Sequence, residues 1–177
     1  SLDQGIAMAA KEQQLELQAH GLYLKIRSQN LQERSHGASG GLLGQLETLL
    51  STPSLKESQL QVYSRLLRTN ASIEAHQFDE AKRQLAEARR WADQTKNPLA
   101  SAWVSAVSGD LYHALKQPQL SLGDYIDAQQ QARGLQDPLF LGLLSNQIVN
   151  LYQEEQEPQK ALQYANEAAN YFHALGN

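Results

Sequence analysis

The chain repeats a pattern of small residues every 40 positions. Two sets of residues carry this interval: Ala81, Ser121 and Ala161 in one set, and Ala88, Ala128 and Ala168 in the other. A fixed period of this size is typical of solenoids, in which stacked supersecondary units bury a continuous core between them. Such arrays present a long concave surface rather than a closed catalytic pocket. The period therefore indicates a binding module.

The period divides most of the chain into three repeats, at 54–96, 97–136 and 137–177. Asn97 and Asp137 each precede a proline. This combination favours the start of a helix, because Asn and Asp cap the first N–H groups and proline has none to satisfy. Apolar residues recur at helical rather than alternating spacing. The sequence predicts an all-α chain of antiparallel helix pairs that forms a single domain.

The turns within the three repeats fall at equivalent positions, near 76–79, 116–119 and 156–159. Pro118 and Pro158 occupy the same place in two of these turns. Because proline is favoured at the first position of a helix, each of them is predicted to begin the second helix of its repeat.

The first 53 residues follow the period less well and are interpreted as a degenerate repeat. We expect a helix over 2–11 that completes a preceding unit, a longer helix over 15–33 and a short one over 42–50. The Gly/Ser-rich segment at 34–41 is predicted to be an enlarged loop. The Ser-x-x-Glu spacing at 54–57 predicts the start of the next helix. Since the chain opens inside a predicted helix, we expect it to be part of a longer protein.

Composition argues against several classes of function. With 15 Lys and Arg against 19 Asp and Glu, the formal net charge of −4 leaves no basic surface for a phosphate backbone, so we expect no nucleic-acid partner. No apolar run approaches the ~18 residues of a membrane helix, so we expect no membrane insertion. The absence of cysteine excludes disulfides and thiolate metal sites. We expect a cytoplasmic chain, with a periplasmic location as the alternative.

Catalytic motifs are weak. Gly37, Ser39 and Gly41 match the G-x-S-x-G pattern of a nucleophile elbow, but that turn requires a preceding strand, and none is predicted. The five histidines lack the spacing of known metal motifs. Asp110 and His113 lie three residues apart on one helix face, where a surface hydrogen bond explains them better than an acid–base pair. We expect no enzyme activity, no cofactor and no metal.

The second and third repeats resemble the Gly–Tyr–Ala–aromatic–Ala signature of the tetratricopeptide repeat family. The residues that carry the resemblance are Gly109, Tyr112, Ser121, Tyr125 and Ala128, and then Tyr152, Ala161 and Ala168. The period is longer than the ~34 residues of that family, and Val149 stands where a small residue is usual. The longer period is similar to variant repeats in bacterial signalling proteins, such as MalT-like activators and regulatory regions fused to diguanylate cyclases.

The resemblance implies a right-handed superhelix whose concave face is lined by the first helix of each repeat. The implied partner-binding residues are Tyr63, Leu66, Asn70, Trp103, Asp110, His113, Asn146, Asn150 and Gln153. Amide side chains both donate and accept hydrogen bonds, so they suit an extended peptide backbone of any sequence. Trp103 and Tyr63 would supply apolar anchors. The alternative is that these are ordinary solvated polar positions and packing aromatics.

These observations predict a protein- or peptide-binding module, the regulatory or scaffolding part of a larger bacterial protein. One alternative is a small-ligand sensor domain of a signalling or transcription regulator, which would require a closed pocket with convergent polar groups. The other is an oligomerisation scaffold. In that case Tyr171, Phe172 and Leu175 near the C-terminal end would be partly uncovered and would pack on a second copy.

Overall fold

The structure, a computed structural model, describes residues 2–33, 35, 37, 39–135 and 137–176. Within these ranges the chain is all-α, as the sequence predicts, and no strand is present. The helices are α1 (Leu2–Glu33), α2 (Gly40–Leu50), α3 (Leu60–Glu74), α4 (Phe78–Thr95), α5 (Pro98–Ala114), α6 (Pro118–Arg133), α7 (Pro138–Glu154) and α8 (Pro158–Leu175). A 3-10 turn at Pro53–Leu55 connects α2 to α3. None of the described helices is long and apolar enough to cross a membrane.

The chain divides into two compact units, and the division falls within α4. We call Ser1–Trp91 the N-terminal unit and Ala92–Asn177 the C-terminal unit. In the N-terminal unit, α1, α2 and α3 enclose a core that includes Ile26, Leu43 and Leu60.

The C-terminal unit has a second core, formed between α5, α6 and α7. Tyr125, Leu144 and Ile148 are buried at its centre. Tyr164 and Tyr171 of α8 pack against its edge. Because each unit buries its own apolar side chains, each has the means to hold its helices in place.

The small residues of the 40-residue period are buried. Ala88, Ala128 and Ala168 are inaccessible to solvent at equivalent points of α4, α6 and α8. Tyr112 and Tyr152 are both half-buried. The sequence period therefore marks positions at which a helix approaches its neighbours closely.

The predicted helix starts are confirmed. The side chain of Asn97 accepts hydrogen bonds from Leu99 N and Ala100 N at 3.0 and 3.2 Å. Asp137 accepts one from Phe140 N at 2.9 Å. Pro118 and Pro158 begin α6 and α8.

The turn that joins the two helices has the same backbone form in all three repeats. His76, Lys116 and Gln156 have φ values of 56°, 59° and 60°, in the left-handed region. After each of them, the next backbone N–H returns to the first helix of the pair, in bonds from Gln77 to Ser72, Gln117 to Tyr112 and Glu157 to Tyr152 of 2.8–2.9 Å. This is the Schellman arrangement, which satisfies carbonyls left open at a helix end.

The prediction for the first 33 residues is wrong in one respect. α1 is a single continuous helix, rather than two helices that break between 11 and 15. Residues 11–15 are Lys, Glu, Gln, Gln and Leu, which all favour helix, so nothing local interrupts it. Residues 4–14 of α1 are exposed, including Ile6 and Met8.

The predicted capping box at 54–57 does not begin α3. Leu55 is buried in the N-terminal core and ends the 3-10 turn, and α3 begins at Leu60. The side chain of Gln61 donates to the carbonyls of Leu50 and Leu55 at 2.8 and 3.1 Å. Burial of Leu55 and these two bonds fix the turn, so tertiary packing outweighs the local capping signal.

The loop predicted at 34–41 is shorter than expected. α2 begins at Gly40, two residues before the predicted start. Residues 34, 36 and 38 lie outside the described residues. The carboxylate of Glu74 accepts hydrogen bonds from Ser35 Oγ and Gly37 N at 2.9 and 3.1 Å, which ties this segment to the end of α3.

Candidate functional site

Helices α5 and α7 lie side by side in the C-terminal unit. The rings of Trp103 and Phe140 stack with centroids 4.2 Å apart. Seven residues further along both helices, Gln147 Nε2 lies 3.4 Å from Asp110 Oδ1. Both contacts join positions 37 residues apart, so the two helices run in the same direction.

The side chain of Asp110 is held in place by a hydrogen bond from α6. Its Oδ1 accepts a hydrogen bond of 2.6 Å from the hydroxyl of Tyr125, which is buried in α6. Burial raises the pKa of the Tyr125 hydroxyl far above its ordinary value, and the negative charge of Asp110 raises that pKa further. Tyr125 therefore remains a donor, and Asp110 remains an oriented acceptor at the half-buried edge of α5.

The outer side of α7 carries a row of exposed amides. Asn146, Gln147, Asn150 and Gln153 are all exposed, and Leu143 is 45 % exposed at one end of the row. The contact from Asn150 Nδ2 to Gln147 Oε1 is 3.4 Å, which is long for a hydrogen bond. Among the described residues, these amides therefore make only long side-chain contacts, at 3.4 Å.

At the far end of α5, His113 faces an acidic side chain of α7. Its Nε2 lies 2.9 Å from Glu154 Oε2 and 3.1 Å from Oε1. Both side chains are at least one third exposed, at 37 % and 55 %. The sequence predicts no pairing of His113 with Glu154, because it places His113 beside Asp110 on the same helix.

These side chains form one surface, which we call the α5/α7 face. It consists of Trp103, Asp110 and His113 from α5 and of Leu143, Asn146, Gln147, Asn150, Gln153 and Glu154 from α7. Gln147 and Glu154 are not among the residues that the sequence predicts for this site. They occupy the same side of α7 as Leu143 and Asn150, since positions three, four and seven apart share a helix face. That spacing is the signal that could have found them.

The three site residues predicted in the N-terminal unit have different surroundings. Leu66 is buried, so it belongs to the core and offers almost no surface to a partner. Tyr63 packs against the N-terminal core, with its ring centroid 5.6 Å from that of Tyr23. Asn70 is half-buried on α3.

The serine of the G-x-S-x-G pattern is not available as a nucleophile. Ser39 is buried, and its hydroxyl donates to Asn30 Oδ1 at 2.6 Å. Among the described residues there is no cluster of three or more His, Asp or Glu side chains that could hold a metal ion.

The structure thus defines a class of protein: an all-α chain of consecutive helix pairs with repeat-like turns. A scan against models of protein families finds no match to this chain, and a search of curated proteins finds no significant match.

Proposed function

We propose that this chain is a tetratricopeptide-like module that binds an extended peptide segment of a partner protein on its α5/α7 face. In this proposal the helix pairs stack into a right-handed superhelix, and the α5/α7 face lies on its concave side. The module serves as the regulatory or scaffolding part of a larger bacterial signalling protein.

The observation that carries the proposal is the row of weakly engaged amides on α7 beside the oriented carboxylate of Asp110. Amide side chains satisfy both the N–H and the C=O groups of an extended backbone. Asp110 adds an acceptor whose position is fixed by Tyr125. Recognition of this kind depends on the backbone of the ligand more than on its side chains.

The same face also has apolar anchors. Leu143 is exposed, and Trp103 is half-buried against Phe140. Aromatic residues are enriched among the side chains that contribute most to binding. We therefore expect ligands with an apolar side chain that contacts Trp103 or Leu143.

The test is selection of peptides from a random display library with the full chain, followed by calorimetry on a selected peptide. Replacing Asn146 and Asn150 together by alanine removes two amides from the face. Since each hydrogen bond contributes about 0.5–1.5 kcal/mol, binding of the selected peptide should weaken by about 5- to 150-fold. The melting temperature should change little, because both positions are exposed.

The matched control replaces Gln130 and Gln163, two exposed amides on α6 and α8, by alanine. It should bind the peptide as tightly as the parent chain. Equal affinity of the Asn146/Asn150 variant and the control would place the peptide elsewhere and reject the proposal.

A second candidate function, self-association through α8, is supported by a comparison within the chain. Leu122 of α6 packs against the C-terminal core, while Leu162, 40 residues later on α8, is 63 % exposed. Gln129 is buried and donates to Ser145 of α7 at 3.0 Å, while its counterpart Ala169 is exposed. We propose that a second copy of the chain covers this face of α8, where Leu162 leaves apolar surface exposed.

Sedimentation equilibrium tests this second candidate. The parent chain should dimerise, and Leu162→Glu should shift it to monomer because a charge at a buried contact is costly. Leu120→Glu, at a similarly exposed leucine of α6, is the control and should leave the mass unchanged. A parent chain that is monomeric at high concentration would rule out self-association.

A further inference from the structure

A polar cleft opens in the N-terminal unit between α2, α3 and α4. Its volume is about 340 Å³, within the range of small-molecule sites. Gln61 and Ser64, both buried, lie among its lining residues. Its charged walls come from two arginines and two glutamates: Arg65, Arg68, Glu47 and Glu87.

Each arginine of the cleft is oriented by a glutamate. Arg68 contacts both carboxylate oxygens of Glu47, with Nε–Oε1 and Nη2–Oε2 distances of 3.0 and 2.6 Å. The hydrogen bond to Glu47 raises the pKa of Arg68, which keeps its guanidinium charged. Arg65 Nε lies 3.3 Å from Glu87 Oε2.

Arg65 is further fixed by its neighbours. Its Nη1 donates to the backbone carbonyl and the side-chain Oε1 of Gln61 at 2.9 and 2.8 Å. Its guanidinium carbon lies 5.6 Å from the centre of the Trp91 ring. These contacts orient the guanidinium in the absence of a ligand, and a pre-oriented group lowers the entropic cost of binding.

One nitrogen of each guanidinium remains unused by the protein. Neither Arg65 Nη2 nor Arg68 Nη1 has an acceptor among the described residues. The two arginines are three residues apart on α3, so their side chains share one face of the helix. The cleft is thus lined by two arginines on one helix face, each with a nitrogen able to donate to an anionic group.

The acceptors of the cleft lie close to these donors. Glu87 Oε1 has a single contact, to Arg90 Nη2 at 3.7 Å, which is beyond hydrogen-bonding distance. Glu87 is therefore able to accept a hydrogen bond from a cationic group a few ångströms from the arginines. The two arginines and two glutamates cancel in charge, so the cleft as a whole attracts neither a pure anion nor a pure cation.

From this arrangement we propose that the cleft binds a small zwitterion, namely an α-amino acid with a free carboxylate and a free ammonium group. The carboxylate accepts hydrogen bonds from Arg65 Nη2 and Arg68 Nη1, and the ammonium donates to Glu87 Oε1. An α-amino acid carries both charges on one carbon, which matches the close placement of donors and acceptor. The site is independent of the α5/α7 face, because it lies in the other unit and takes a different class of ligand.

Calorimetry of the full chain with the free amino acids, one at a time, tests the proposal. At least one should bind with saturation, and it should also raise the melting temperature. The N-acetyl derivative of that amino acid lacks the ammonium, and the amide derivative lacks the carboxylate. Each derivative should bind at least about 10-fold more weakly, since each loses a charge-assisted hydrogen bond.

Two variants locate the binding. Arg68→Gln should weaken the amino acid at least about 10-fold, and Glu87→Gln should weaken it while leaving both arginines in place. Glu87→Gln serves as the decisive variant if Arg68→Gln fails to fold. Arg83→Gln removes an exposed arginine of α4 outside the cleft and should bind as the parent does.

Three results would overturn the proposal. They are the absence of binding by every free amino acid at millimolar concentration, equal binding of the N-acetyl derivative or of inorganic phosphate, and equal binding by the Glu87→Gln variant. Equal binding of the acetylated form or of phosphate would identify an anion site instead.

Discussion

Tyr125 occupies space that a side chain at position 109 would need. A Cβ atom on Gly109 would lie 2.6 Å from two carbons of the Tyr125 ring. In the other two repeats, the equivalent residue pairs are Thr69 with Leu85 and Val149 with Ala165. In each pair a smaller residue is aligned with a larger one, so the division of volume between the two helices differs from repeat to repeat.

This contact predicts that adding one methyl group at position 109 lowers the stability of the chain considerably. Gly109→Ala should destabilise the chain by about 1–3 kcal/mol, because the ring of Tyr125 is buried and cannot move aside freely. Gly123→Ala is the control, since a Cβ there meets open space within α6. It should stabilise the chain by about 0.5–1 kcal/mol through helix propensity. Chemical denaturation measures both changes, and equal effects would contradict the packing account.

Tyr125 also predicts a pH dependence. Burial raises its pKa in the folded chain, so the folded state keeps a proton that the unfolded state loses above pH ~10. Its contribution to stability is complete below that pH and is lost as the pH rises. The parent should lose up to about 1.4 kcal/mol more per pH unit than Tyr125→Phe between pH 10 and 11. Identical pH profiles for the two chains would show that Tyr125 ionises normally.

At the scale of elements, the three turns of the repeats share a strained residue. His76, Lys116 and Gln156 adopt a left-handed conformation that costs an ordinary L-residue roughly 1–2 kcal/mol. The hydrogen bonds that follow each turn fix this conformation. The three turns therefore share one backbone conformation at positions 40 residues apart, although the side chains at these positions differ.

Replacing Lys116 by glycine should remove this strain. We expect a gain of about 0.5–1 kcal/mol, because the relief exceeds the entropy that glycine loses on folding. Leu115→Gly, one residue earlier at a position of negative φ, should instead destabilise the chain. Thermal unfolding of both variants decides the matter, and destabilisation by Lys116→Gly would contradict the turn geometry.

Helix ends were predictable where the signal is local. Asn97 and Asp137 cap their helices as expected, and Pro118 and Pro158 begin theirs. The start of α3 was not predictable in this way, because burial of Leu55 holds the preceding residues in a 3-10 turn. Local chemistry thus identifies a helix end only when tertiary packing does not oppose it.

At the scale of the whole chain, equivalent positions of the 40-residue period should contribute similarly to the free energy of unfolding in every repeat. Ala88, Ala128 and Ala168 are all buried. Replacing each of them separately by leucine should overpack its helix contact and cost about 1–3 kcal/mol. Ala86→Leu, at an exposed position of α4, should be nearly neutral. Denaturant unfolding of the four variants measures this, and a neutral substitution at any of the three buried alanines would break the equivalence of the repeats.

The candidate site was only partly predictable, for a geometric reason. The 40-residue period identifies equivalent positions, and so it groups Asp110 with Asn150. Contacts between α5 and α7 instead join positions 37 apart for Asp110 with Gln147 and Trp103 with Phe140, and 41 apart for His113 with Glu154. This stagger follows from how the side chains of two helices interlock, and the sequence period does not contain it.

Fluorescence of Trp103 tests the central claim, that the α5/α7 face binds the peptide. The chain contains two tryptophans, so Trp91→Phe leaves Trp103 as the single reporter. Titration with a selected peptide should shift the Trp103 emission to shorter wavelength, with the midpoint that calorimetry gives, because the half-buried ring loses contact with water. Saturable binding of the peptide by calorimetry with no change in Trp103 emission would contradict the claim.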